Sequence, residues 1–186
     1  MPTYFETERL VARSFTPADV EPFAVYRADP DVARYQSWSD FTRADAEAFV
    51  ASLEGEEPGV PGEWFQVALS ARGDGLQGGL VGDLALHLDA DEPRQAEVGF
   101  TLAPAHQGKG YATEALTGLL DWAFPAFGLH RVIAVTDALN APSAALLGRV
   151  GMRQEAHWVE NVFFKGAWGS ELQFAVLARE WAARRA

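Results

Sequence analysis

The sequence predicts one mixed α/β domain, α+β in class, with a mostly antiparallel mixed sheet of about seven strands and about four helices. Three observations predict it. At 186 residues the chain suits a single domain that buries most of the surface its unfolded form exposes. Apolar residues make up 48% of it, enough for a core without staples, and fall in short strand-like runs interspersed with helix caps and helical spacing. No internal repeat, low-complexity tract or long linker interrupts residues 1–186, so the whole chain reads as one unit.

The elements follow in order. Residues 7–15 alternate Leu10, Ala12 and Ser14 with Arg9, Val11 and Arg13, as a first strand does. Thr16 is then an N-cap, with Pro17 at the first helical position. Thr42 opens a second helix, with Asp45 at the capping-box position and Phe49, Val50 and Leu53 as its apolar face. Residues 54–63, rich in Gly, Pro and Glu, form an exposed loop. Residues 64–71 and 80–88 are strands separated by a long turn bearing Gly73-Asp74-Gly75 and Gly78-Gly79, and a turn at 89–93 precedes a strand at 96–102. From 110 to 124, Ala112, Leu116, Leu119, Leu120 and Ala123 recur at helical spacing. A buried strand at 131–136 leads to a helix at 141–150, with Asn140 as cap and Gly151 as stop. Residues 153–165 and 168–177 form two antiparallel strands joined at Lys165-Gly166-Ala167, and the polar tail 179–185 is compatible with a helix.

Composition removes several chemistries. The chain has no cysteine, which excludes disulfides, thiolate zinc sites and a cysteinyl intermediate. His87, His106, His130 and His157 are scattered without ligand spacing, so no metal is expected. No Gly-x-Ser-x-Gly elbow supports a serine triad. The N-terminus lacks the basic-then-apolar pattern of a secretory signal, and no window approaches the ~18 to 20 apolar residues of a membrane span, so a cytoplasmic protein is expected. A formal net charge of -11 repels nucleic acid and anionic membranes and gathers cationic acceptors such as amines; it also suits plain solubility.

The chemistry sits after the strand at 96–102, in Ala103-Pro104-Ala105-His106-Gln107-Gly108-Lys109-Gly110-Tyr111-Ala112. A helix start leaves its first N–H groups unpaired and gathers about half a positive charge. Glycines at 108 and 110 let a phosphate approach bare amides, and small Ala112 keeps the next turn open. A nucleotide-hydrolase loop is excluded, because Gly110 rather than Ser or Thr follows Lys109 and position 103 is Ala. A dinucleotide fingerprint is excluded because position 113 is Thr rather than Gly. A tight turn without a ligand is the remaining alternative.

Gln107-x-x-Gly110-x-Ala112, following a strand and opening a helix, resembles the acyl-CoA pyrophosphate loop of the GNAT superfamily of N-acetyltransferases. Residues 97–104 resemble that family's central strand, and Asn140-Ala-Pro-Ser143 with Gly151-Met152 resembles its second motif. The resemblance covers essentially the whole chain. It is closest to the branch of the ribosomal-protein N-terminal acetyltransferases (RimJ/RimL-like), whose features Tyr35-Gln36-Ser37-Trp38 and Phe164-Lys165-Gly166-Ala167-Trp168 also resemble.

The resemblance implies that the sheet splays at its centre, between the strands at 96–102 and 131–136. Acetyl-CoA would lie there as cosubstrate, its pantetheine against the backbone of Phe100, Thr101 and Leu102 and its diphosphate on the amides of Gly108, Lys109, Gly110, Tyr111 and Ala112. Lys109 either adds charge near the phosphates or is ordinary surface. Gln107 either meets the diphosphate or holds the loop. Asn140 either contacts pantetheine or caps its helix, and one side chain can do both.

The acceptor amine must be neutral to attack the thioester. At pH 7 that costs about 1.4 kcal/mol for an α-amine and about 4.6 for a lysine amine, from unperturbed pKa values of about 8 and 10.4. Glu97 is the candidate base, because it precedes the cofactor strand within an apolar run; a buried, satisfied acid is its other reading. Many members of the superfamily carry a tyrosine seven residues after the motif asparagine, but here that position is Leu147. Ser143 is then the candidate donor to the departing thiol, or a first-turn residue bonding backbone. Gln36 and Trp38, with Phe163 and Trp168, are candidates for the acceptor wall; tryptophans at such positions also complete cores and dimer interfaces. A primary amine (protein N-terminal or small-molecule) is the acceptor expected, with a homodimer as a further implication. A non-catalytic acyl-CoA-binding or sensor protein on the same fold is the alternative, left open by the missing tyrosine.

Overall fold

The computed structural model describes residues 2–72 and 79–185, so most of the predicted glycine turn, at 73–78, lies outside the described residues. The strands are β1 Thr3–Glu6, β2 Leu10–Arg13, β3 Trp64–Ala71, β4 Leu80–Leu88, β5 Gln95–Leu102, β6 Arg131–Asp137, β7 Arg153–Phe164 and β8 Ala167–Leu177. The helices are α1 Val20–Arg27, α2 Pro30–Ala33, α3 Arg43–Ser52, α4 Tyr111–Phe127, α5 Ala141–Val150 and α6 Ala178–Arg185. All eight strands join one sheet in the order β1-β2-β3-β4-β5-β6-β8-β7. Every neighbouring pair is antiparallel except β5 with β6.

Two counts differ from the sequence expectation, for physical reasons. The strand expected at 7–15 is the shorter β2, and β1 is an additional strand before it, because Thr7 closes a turn that no Gly or Pro signals: its amide donates to Leu10 O at 2.9 Å and its hydroxyl accepts the Leu10 amide at 3.0 Å. Among the described residues there are six α-helices rather than about four. α2 is one short turn capped by Asp29, whose carboxylate accepts the Asp31 amide at 2.9 Å, and α6 is the polar tail, anchored by buried Trp181. Other local signals match their elements. Asp45 accepts the Thr42 amide at 2.8 Å in a complete capping box, and Gly151, at φ +100°, ends α5. At the β7–β8 tip, Lys165 (φ +48°) and Gly166 (φ +86°) both take the left-handed conformation of a two-residue turn.

The main core lies between one face of the sheet and helices α4 and α5. α4 buries Ala115, Leu116, Leu119, Leu120, Ala123 and Phe124, a stripe at helical spacing, against Leu84, Leu86, Val98 and Val132. Burying one such leucine is worth roughly 1.5–3 kcal/mol. On the opposite face α1 and α3 pack a second cluster around Phe23, Tyr26, Val50, Ala68 and Leu80. Two ion pairs are buried there. Arg13 grips Asp19 through two 2.7 Å hydrogen bonds, and Arg27 approaches Asp83 at 3.3 Å. The Arg27 guanidinium also lies 3.9 Å from the Trp38 ring centre, and Trp38 Nε1 donates to Arg27 O at 3.0 Å. Among the described residues, no helix is long and apolar enough to cross a membrane.

Candidate active site

β5 and β6 pair over only three residues: Gln95 with Arg131, Ala96 with Val132 and Glu97 with Ile133. Beyond Glu97 the strands part, while β4 stays paired with β5 as far as Gly82 opposite Leu102. A strand with one edge unpaired presents free N–H and C=O groups to whatever enters the gap. A cavity of about 660 Å³ opens there, lined by β5 (Phe100, Thr101, Leu102), by the loop and first turn of α4 (Gln107, Gly108, Gly110, Tyr111, Ala112), and by α5. Asp31, Val32, Tyr35 and Gln36 line it from above. The Tyr35 hydroxyl donates to Leu139 O at 3.3 Å, tying this roof to the β6–α5 loop.

The loop has the form of an anion cradle. Gly108 (φ +71°) and Gly110 (φ +81°) are left-handed, a conformation costly for residues with a Cβ. The amides of Gly108, Lys109, Gly110, Tyr111, Ala112 and Thr113 donate to no protein acceptor among the described residues, whereas Glu114 N already bonds Gly110 O at 3.1 Å. Six unpaired donors thus cluster at the positive end of a 17-residue helix. Gln107 Nε2 donates to Leu102 O at 3.0 Å and pins the loop to the end of β5.

The other sequence-predicted residues divide between two faces. Asn140 and Ser143 line the cavity, and Asn140 Oδ1 caps α5 by accepting the Ser143 amide at 3.2 Å. Leu147 is fully buried in the core, so that position offers no polar group to the cavity. Lys109, Trp38 and Glu97 do not line the cavity. Trp38 is half-buried over Arg27, behind the roof. Glu97 alternates with buried Ala96 and Val98, so it projects from the face opposite α4, at the apex where the strands part. Burial pushes the Glu97 carboxyl above its ordinary range, the His87 charge opposes this and the Glu171 charge adds to it. The Trp64 ring lies beside His87, with centroids 5.0 Å apart. Phe163 and Trp168 are exposed at the β7–β8 tip, where Lys165 Nζ donates to Ala33 O at 2.6 Å and to Trp38 O at 2.7 Å. The hairpin thereby clasps the roof. Arg149, absent from the sequence expectation, lines the cavity with Pro142, Ala145 and Leu146. The helical spacing 142, 145, 146, 149 on the face of Ser143 is the signal that marks it.

Residues 9–153 match the Acetyltransferase (GNAT) domain. The chain is 31% identical to the uncharacterized N-acetyltransferase YnaD of Bacillus subtilis (strain 168) over 178 residues, 96% of this chain and 99% of that protein. It is similar to the crystal structure of a GNAT-family acetyltransferase from Bacillus anthracis, with a TM-score of 0.83 and 30% identity over 95% of this chain and 99% of the other. A spermidine N-acetyltransferase from Vibrio cholerae, solved with CoA and spermine, shares the fold at a TM-score of 0.78 and 20% identity, covering 95% of this chain and 99% of that one.

Proposed function

This chain belongs to the GNAT acetyltransferase family and is an acetyl-CoA-dependent N-acetyltransferase; from that premise we propose that it passes the acetyl group directly to a primary amine in a ternary complex, with the α-amine of a protein N-terminus as the preferred acceptor. The observation that carries this reading is the row of undonated amides at 108–113, set at the mouth of the gap between β5 and β6. Those amides hold the diphosphate, and the free edge of β5 at Phe100, Thr101 and Leu102 pairs with the pantetheine arm. Lys109 contributes charge beside the phosphates. The amine approaches from the face of Glu97, with Gln36 on the wall of its site and Trp38 packed behind that wall over Arg27. Its nitrogen attacks the thioester carbon and the C–S bond breaks. Glu97 takes the amine proton, directly or through one water, and Ser143 donates a hydrogen bond to the departing thiolate. The lower deprotonation cost of an α-amine, about 1.4 against 4.6 kcal/mol, supports the acceptor preference. Within the family we place the chain beside the RimJ/RimL-like ribosomal-protein acetyltransferases, on residues 35–38 and on Ser143 after Asn140. We place it in the cytoplasm, where acetyl-CoA is available, and assign the exposed Trp158, Val159, Phe163 and Trp168 of the hairpin to a homodimer contact.

Thiol release from acetyl-CoA, measured across a panel of amines, tests the function. Peptides with a free N-terminus are expected to turn over with higher kcat/KM than the same peptides acetylated at the N-terminus and offering only lysine. CoA binding without thiol release for any amine would move the chain to the non-catalytic alternative. Ser143→Ala is expected to lower kcat about tenfold or more with the CoA Kd unchanged, the loss of one hydrogen bond to a charged group. Calorimetry beside steady-state kinetics checks both halves.

A further inference from the structure

Two side chains outside the cavity wall hold the amide cradle in shape. Arg9, in the turn before β2, donates Nη1 to the Lys109 carbonyl at 3.0 Å and Nε to Glu114 Oε2 at 2.6 Å. Its guanidinium carbon lies 4.7 Å from the centre of the Tyr111 ring. Glu114, in the first turn of α4, also accepts the Thr7 hydroxyl at 2.6 Å and the Arg9 amide at 2.7 Å. The bracket therefore grips the loop at 109, 111 and 114, from a segment about a hundred residues away in sequence.

Two physical consequences follow. The Lys109 carbonyl and the Gly110 N–H belong to one planar trans peptide, in which they point in opposite directions. Holding the carbonyl toward Arg9 turns the Gly110 N–H away from it, and Gly110 lines the cavity. The second consequence concerns charge. Burial raises the Glu114 carboxyl, but the bonds from Thr7 and Arg9 outweigh that and hold it below the ordinary range, so it is an anion at neutral pH. An uncompensated carboxylate in this turn would repel a diphosphate bound at the same helix end. Arg9 cancels that charge at contact distance.

We propose that Arg9 is a positioning residue for the diphosphate: it aims the Lys109–Gly110 peptide and neutralises Glu114. The inference rests on the acetyl-CoA reading above. S-acetylpantetheine carries the same thioester and pantetheine arm but no diphosphate, so the ratio of kcat/KM for acetyl-CoA over S-acetylpantetheine reads the cradle alone. Arg9→Ala is expected to lower that ratio about tenfold or more. Arg9→Lys keeps a cation but lacks the fork that spans both Glu114 and the Lys109 carbonyl, so it is expected to lower the ratio by less, and it serves if the alanine variant does not fold. A wild-type ratio near one would remove the acetyl-CoA reading and this proposal with it. A high wild-type ratio that the Arg9 variants retain, whether both substrates slow together or neither does, would remove this proposal alone.

Discussion

Glu97→Gln is expected to lower kcat by roughly 10²- to 10⁴-fold, the usual contribution of a positioned general base, while leaving CoA affinity unchanged. Glu97 stands where β5 and β6 part, on the face opposite α4, so it can meet an amine entering from that side. The glutamine is nearly isosteric but accepts no proton. The pH profile separates this role from a structural one. Burial, with Glu171 adding and His87 opposing, raises the Glu97 carboxyl above the ordinary glutamate range. A base works deprotonated, so wild-type kcat/KM should fall as pH drops through that raised value, and the variant should lack this limb. Glu171→Gln removes one cause of the shift and should move the limb to lower pH. Stability supplies a further check of sign. A raised carboxyl pKa means that the folded state favours the protonated form, so this stability is present below the unfolded value and lost as pH rises through the folded one. At pH 7 the ionised Glu97 therefore costs stability, and Glu97→Gln should melt no lower than wild type. An inactive variant that also melts well below wild type would mark Glu97 as a structural acid instead.

What the sequence disclosed about this protein was what neighbouring residues determine. The capping box of Thr42 and Asp45 closes within one turn, Asn140 and Gly151 bracket α5, and the stripe from Ala115 to Phe124 repeats at helical spacing. The form of the loop at 107–112 was legible for the same reason: strand, glycines and helix start are contiguous. The turn at Thr7 was not, because a hydroxyl rather than Gly or Pro closes it. Nor was the placement of Trp38, which depends on Arg27 beneath its ring and on Lys165 reaching back from the β7–β8 turn. Glu114 illustrates the limit well. On its own helix it is an unremarkable first-turn acid, and only the sheet brings Thr7 and Arg9 to it. Nor does the local pattern mark Arg13, Asp19, Arg27 and Asp83 as buried, which they are once their partners meet.

Asp19→Ala is expected to have the largest effect on stability, a loss of about 3–5 kcal/mol. The side chains of Arg13 and Asp19 are 4% and 5% exposed, and two parallel 2.7 Å bonds join them. Asp19 further accepts the Thr16 amide at 2.7 Å and hydroxyl at 2.8 Å, fixing the entry to α1. Alanine would leave the Arg13 guanidinium charged, buried and unpaired, which costs more than the pair itself contributes. For a chain of this size each kcal/mol shifts the melting temperature by about 2–4 °C, so a drop of about 6–20 °C is expected. The double variant Arg13→Met with Asp19→Leu removes both charges and fills the space, and it should recover most of that loss. The pH dependence has the opposite sign to that of Glu97. Burial raises the Asp19 carboxyl, yet the bonds from Arg13 and Thr16 outweigh it and leave the value depressed. Its stabilisation is therefore present above the unfolded value, about 3.9, and lost as pH falls through the lower folded value. Urea unfolding of wild type between pH 7 and pH 3 should thus show a loss that Asp19→Asn lacks in part. An Asp19→Ala variant within about 1 kcal/mol of wild type at pH 7 would mean that water reaches the Arg13 guanidinium and that this pair does not hold α1 against the sheet.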